Sequence, residues 1–116
     1  MTDPDCLFCR IVAGEIPAQK IYETDQVIAF ADINPQAPFH ALLIPTTHIA
    51  TLNDLEPDQA DLMGQLFLAA QAIATREGFA AEGYRTVVNC NAGAGQTVFH
   101  IHLHLLAGRR LTWPPG

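Results

Sequence analysis

Between Phe99 and Leu106, imidazoles and aliphatic side chains alternate without a break: His100, Ile101, His102, Leu103, His104, Leu105. Successive side chains on a strand point to opposite faces, so a strand here puts three histidines on one face and Ile101, Leu103 and Leu105 on the other. The apolar set requires a core beneath it. The histidine set requires another explanation, because solvent faces usually recruit Lys, Glu or Thr, and three of the chain's five histidines lie in this stretch. The chain is thereby committed to a sheet whose last strand carries a face reserved for binding or reaction.

Partners for that strand are readable upstream. Lys20 to Glu23 and Val27 to Ala31 form two short strands around the turn residues Thr24-Asp25-Gln26. Pro35 and Pro38 offer no amide to a ladder, so the segment from Ile33 to Pro38 is a loop, and His40 to Pro45 resumes as a strand. Tyr84 to Cys90 is a fourth strand, and Thr97 to Leu106 the last. Between them Leu62, Met63, Leu66, Phe67, Ala70, Ile73 and Ala74 recur at three- and four-residue spacing, the apolar face of a helix. Asn53 or Asp54 suits its cap, Pro57 its first turn and Gly78 its exit. Strands, one long helix, then strands predict an α+β class with a mainly antiparallel five-stranded sheet covered on one face by the helix.

The length, 116 residues, suits one domain spanning 1–116, and no repeat or linker divides it. Twelve acidic against six basic side chains give a net charge of −6. No basic stripe is present, which argues against a nucleic-acid polymer as partner. No apolar run approaches the roughly 18 residues of a membrane helix. MTDPDCLFCR is acidic and lacks the basic and apolar regions of a secretory leader, so no membrane association and a cytoplasmic location are expected. In that setting Cys6-x-x-Cys9 suggests a metal site or a redox pair before a structural disulfide, and Cys90 reads as a small core residue within its strand.

Two chemistries suit the histidine row: imidazole ligation of a metal, or an imidazole acting as nucleophile or proton shuttle. Alternate strand residues lie about 6.5–7 Å apart, whereas two nitrogens on one zinc stand about 4 Å apart at most. One metal held by all three histidines would be strained. A division of labour among them fits better.

His100-Ile101-His102-Leu103-His104-Leu105-Leu106 resembles the signature of the histidine triad nucleotide hydrolases and transferases. Phe8 to Pro17, Ala29 to Ile33, Pro35 to Pro38, His40, Ile44-Pro45, His48-Ile49, Gly95-Gln96 and Trp113 to Gly116 are similar to the Hint branch of that family, so the resemblance spans nearly the whole chain. It implies a short N-terminal helix beside the long one. It also implies a purine nucleoside phosphoramidase or related nucleotidyl hydrolase, with a dinucleoside polyphosphate hydrolase or a nucleotide-binding scaffold protein as alternatives. His102 takes the place of the attacking nucleophile, oriented by the backbone carbonyl of His100. By the same resemblance His104 contacts the phosphate or leaving group, and His40 supports the imidazole network. Asn89, Gly95, Gln96, Thr97 and Val98 correspond to the phosphate site, with threonine at 97 where Hint relatives more often carry serine. Asp32 corresponds to the carboxylate that accepts the ribose hydroxyls, and Leu7, Phe8, Ile11, Phe30 and Ile33 to the purine pocket. Zinc-containing members imply Cys6, Cys9, His48 and His100 as ligands of a closed structural site, with no catalytic metal. A homodimer is implied as well, with the long helix and the Tyr84 to Cys90 strand offering apolar contact.

Overall fold

Five strands pair into one antiparallel sheet in a computed structural model of the chain, which describes residues 2–116. Strands β1 (Lys20–Glu23), β2 (Val27–Ala31), β3 (Phe39–Pro45), β4 (Arg85–Val87) and β5 (Leu103–Ala107) lie in the order β1-β2-β3-β5-β4. A short helix α1 (Leu7–Val12) precedes them, and a long helix α2 (Ala60–Glu77) lies between β3 and β4. This is the α+β class that the sequence predicts. None of the described helices is long and apolar enough to cross a membrane.

Register determines which side chains meet. Ala41 pairs Leu105 and Leu43 pairs Leu103 across β3 and β5, and these join Val27, Ala29, Leu66, Ala69, Ala70 and Ile73 in the core beneath α2. Burying each large aliphatic side chain there contributes roughly 1.5–3 kcal/mol. On the opposite face Leu42 pairs both Phe30 and His104, and Ile28 pairs Ile44. That face is covered by Phe8, Cys9 and Ile11 of the short helix. The period of two thus assigns the long helix to one face of the sheet and His40 and His104 to the other, while His100 and His102 precede β5.

Two strands are shorter than the sequence pattern suggests, for a shared reason. The Val87–His104 pair ends the β4–β5 ladder, and beyond it the amide of Ile101 donates to Ile49 O at 2.8 Å. Residues 97–102 therefore lie outside β5, and Val88 to Cys90 have no strand to pair with. Cys90 is half-buried outside any strand rather than a core strand residue.

The helix entry also differs. Thr51, not Asn53 or Asp54, is the capping residue, and it caps a separate 3-10 turn over Leu52–Asp54. Asp54 accepts from the Thr51 amide at 3.1 Å. Pro57 opens a second 3-10 turn, and α2 ends at Gly78 with φ +86°. Phe67 is 51% exposed, because it sits about 100° around the helix from Leu66, which points straight into the core.

Candidate active site and metal centre

Cys6 precedes the first turn of α1 and Cys9 lies within it, with the Cys9 amide donating to Cys6 Sγ at 3.4 Å. This turn directs both sulfurs toward two histidines distant in sequence. Cys6 Sγ stands 3.4 Å and Cys9 Sγ 3.6 Å from His100 Nδ1, and His48 Nδ1 is 3.3 Å from both Cys9 Sγ and His100 Nδ1. All four donor atoms lie within 4.8 Å of one another. A tetrahedral zinc ion separates two nitrogens by about 3.3 Å and a sulfur and a nitrogen by about 3.6 Å, so the donor set fits that ion.

The surrounding hydrogen bonds favour the same reading. His100 Nε2 donates to Pro45 O at 2.8 Å, which leaves the lone pair on Nδ1, the atom facing the sulfurs. His100 is completely buried, and that burial pushes its pKa down to about 4, so the ring is neutral as a ligand must be. The Asp3 amide donates to Cys9 Sγ at 3.3 Å, and the Asp3 carboxylate lies 3.9 Å from His48 Nε2, on the side away from the sulfurs. Burial pushes the Cys9 thiol up, against the lowering effect of that amide, so its thiolate gains from a cation beside it.

His102 meets the other end of the same residue. Its Nδ1 lies 2.8 Å from His100 O, and a carbonyl only accepts, so Nδ1 carries the hydrogen. In the neutral ring Nε2 then holds an in-plane lone pair. Phe8 packs edge-on against this imidazole with centroids 5.2 Å apart. His102 and His104 both line a cavity of about 580 Å³.

A second group, Asp32, His40 and His104, also has the spacing of a metal site. Its hydrogen bonds suit a proton relay better. The Gln36 amide donates to His40 Nδ1 at 3.0 Å, so the hydrogen of neutral His40 sits on Nε2, which faces His104 Nδ1 at 3.0 Å and Asp32 Oδ2 at 3.3 Å. A protonated nitrogen does not ligate. The group is a relay in which His104 Nδ1 accepts, leaving the His104 hydrogen on Nε2. Burial lowers the pKa of His40, and burial together with repulsion from His102 and His40 lowers that of His104 to about 4. Both rings are neutral at pH 7.

The cavity walls are mostly apolar. Leu7, Phe8, Ile11, Phe30, Asp32, Ile33, Thr97 and Val98 line it. Ile33 is fully exposed, a large aliphatic side chain left at the open rim. Asn89, Gly95 and Gln96 do not line it. The Gly95 and Gln96 amides are spent within their loop on Ala92 O and Asn91 O, at 3.0 and 3.1 Å. The buried Gln96 carboxamide donates to Ala50 O and Val98 O, at 2.9 and 3.1 Å, and so shapes the loop that presents Thr97 and Val98. Sequence reasoning missed Ile16, Pro17, Ala18, Gln19 and Leu42 in this wall. Leu42 was legible, since it alternates with His40 on β3. The 16–19 segment has no periodicity to reveal it.

Comparison with known proteins places this geometry among relatives. The model of the HIT domain matches residues 13–111. An uncharacterized HIT-like protein of Synechococcus elongatus is 50% identical over 97% of each chain. The purine nucleoside phosphoramidase of Escherichia coli is 45% identical, over 92% of this chain and 90% of its own. The crystal structure of a HIT family hydrolase from Legionella pneumophila Philadelphia 1 superposes with a TM-score of 0.95 at 53% identity, covering 97% of this chain and all of the other.

Proposed function

The chain belongs to the HIT domain family, and on that footing we propose that it hydrolyses phosphoramidate or related bonds of purine nucleoside monophosphates through a nucleotidyl intermediate on His102. The observation that carries this reading is the 2.8 Å bond from His102 Nδ1 to His100 O, which leaves Nε2 free as nucleophile beside an apolar cavity. Similarity to the Escherichia coli purine nucleoside phosphoramidase supports the substrate class.

In the first step His102 Nε2 bonds to the α-phosphorus while the bond from phosphorus to the leaving nitrogen breaks. The imidazole gains positive charge, which strengthens its Nδ1–H bond to the His100 carbonyl. His104 Nε2–H, set by the relay from His40, donates to the leaving group or a phosphate oxygen. Water then attacks phosphorus, the bond to His102 breaks and returns its electron pair to Nε2, one proton of the water passes to solvent, and the nucleoside monophosphate departs. Asp32 accepts the ribose hydroxyls, and the base lies between the aliphatic and aromatic side chains of Leu7, Phe8, Ile11, Phe30 and Ile33. Gln96 acts on the phosphate site through the loop that carries Thr97 and Val98.

Cys6, Cys9, His48 and His100 would hold a structural zinc ion, which would tie the N-terminal turn to the segment leading into β5. A second copy of the chain covers the exposed, uncharged stripe of Ala60, Gly64, Phe67, Leu68, Gln71 and Thr75 on α2, together with the edge strand β4. Light scattering is then expected to give twice the 12.6 kDa chain mass; the single mass would refute the dimer.

Hydrolysis of adenosine 5′-phosphoramidate beside diadenosine triphosphate tests the activity. The phosphoramidate is expected to be the better substrate. Preference for the dinucleotide would make this a dinucleoside polyphosphate hydrolase. Cleavage of neither, with AMP still bound, would make it a nucleotide-binding protein.

A further inference from the structure

The relay that sets the hydrogen of His104 has two self-consistent directions. In one, His40 Nε2–H donates to His104 Nδ1 and the His104 hydrogen sits on Nε2. In the other, His104 Nδ1–H donates to His40 Nε2, the His40 hydrogen sits on Nδ1, and His104 Nε2 has none to give. The 3.0 Å separation of the ring nitrogens suits both. Two groups favour the first: the Gln36 amide, which donates to His40 Nδ1 at 3.0 Å, and the Asp32 carboxylate, 3.3 Å from His40 Nε2, which calls for a hydrogen on that nitrogen.

That amide belongs to a loop with two prolines, and an outside group holds it. Arg109 Nε donates to Gln36 O at 3.0 Å, while Arg109 Nη1 donates to Arg110 O at 3.2 Å. Arg109 follows closely on the end of β5, the strand of His104. Gly108 between them has φ +96°, and a Cβ there would stand 2.9 Å from Pro38 Cβ, so this turn and the 33–38 loop are in close contact. The connections close on themselves: His104 to Arg109 along the chain, Arg109 to Gln36, Gln36 to His40, and His40 back to His104.

We propose that Arg109 is a positioning residue: by holding the Gln36 carbonyl it keeps the Gln36 amide on His40, and thereby keeps the hydrogen of His104 on Nε2. The consequence for turnover rests on the reading of His104 as a donor to substrate. Release of the carbonyl lets the Gln36 backbone turn away, and water can then accept a hydrogen from His40 Nδ1. The relay reverses in that fraction of molecules. Base and ribose binding change little, because the apolar cavity walls remain and Asp32 still meets His40 Nε2–H in the unreversed fraction.

The test is long-range proton–nitrogen NMR of the histidine rings in the full chain, run beside kinetics on adenosine 5′-phosphoramidate. In the wild type, His40 and His104 are each expected to carry hydrogen on Nε2 alone. In Arg109→Ala, at an exposed position, both rings should become tautomer mixtures. The kcat should fall about tenfold, the scale of one lost hydrogen bond, with KM changed by less than about twofold. Arg110→Ala should leave rings and rates unchanged. Wild-type tautomers in Arg109→Ala would overturn the proposal, whatever the rate does. A tautomer shift with unchanged kcat would uphold the positioning role and remove His104 from the chemistry instead.

Discussion

His102→Ala is expected to lower kcat for phosphoramidate cleavage by roughly six orders of magnitude, the scale seen when a covalent nucleophile is lost. No other imidazole of the triad can replace it. The Nδ1 of His100 faces Cys6 and Cys9, and the Nδ1 of His104 is engaged with His40. The dissociation constant for AMP should stay within about threefold, because the apolar walls and Asp32 remain. His102 is 7% exposed, so its loss strands the His100 carbonyl, at about 1–3 kcal/mol of stability. His102→Asn provides a control for that damage: its amide reaches toward the same carbonyl, yet it has no nitrogen lone pair for attack. Rapid-quench kinetics with radiolabelled substrate should find a nucleotide bound to protein in the wild type and none in either variant. Wild-type turnover by either would refute the mechanism.

Cys6→Ser should act chiefly on stability. The wild type is expected to contain about one zinc per chain and the variant much less, by elemental analysis. Tm should fall by roughly 10–15 °C, a few kcal/mol for a domain of this size. A strong chelator should bring the wild type to a similar Tm and have little effect on the variant. Turnover should fall less, since His102 keeps its carbonyl partner. The effect on activity is not zero, because α1 carries Phe8, which packs on both His100 and His102, with centroids 6.0 and 5.2 Å away. Wild-type protein without zinc, together with an unchanged Tm in the variant, would refute the metal site.

The fold was largely legible because its signals are local. Alternation at Ile101, Leu103 and Leu105, prolines at 35 and 38, and helical spacing from Leu62 to Ala74 each follow from backbone geometry alone. The misreadings mark where a tertiary contact overrode a local pattern. Thr97 to His102 alternates like strand, yet Ile101 bonds to Ile49 O outside the sheet. Phe67 fits an apolar spacing, yet α2 turns Leu66, Ala70 and Ile73 inward and leaves Phe67 on the flank. The site shows the same boundary: the histidines announce themselves by type and spacing, whereas Gln36 meets His40 through its backbone amide and Gln19 reaches the cavity by position alone, which no side-chain pattern encodes.

By itself, then, the sequence determined that the last strand would turn Leu103 and Leu105 inward and His104 to the other face, and that a helix would cover the apolar side of the sheet; His100 and His102 precede that strand. Side-chain period and residue chemistry suffice for that. Only the tertiary structure decided which nitrogen of each triad ring holds its hydrogen. Pro45 O fixes His100, His100 O fixes His102, and the Gln36 amide fixes His40 and through it His104. A neutral imidazole has two forms of similar energy, and the choice between them belongs to whichever backbone group the fold brings within about 3 Å.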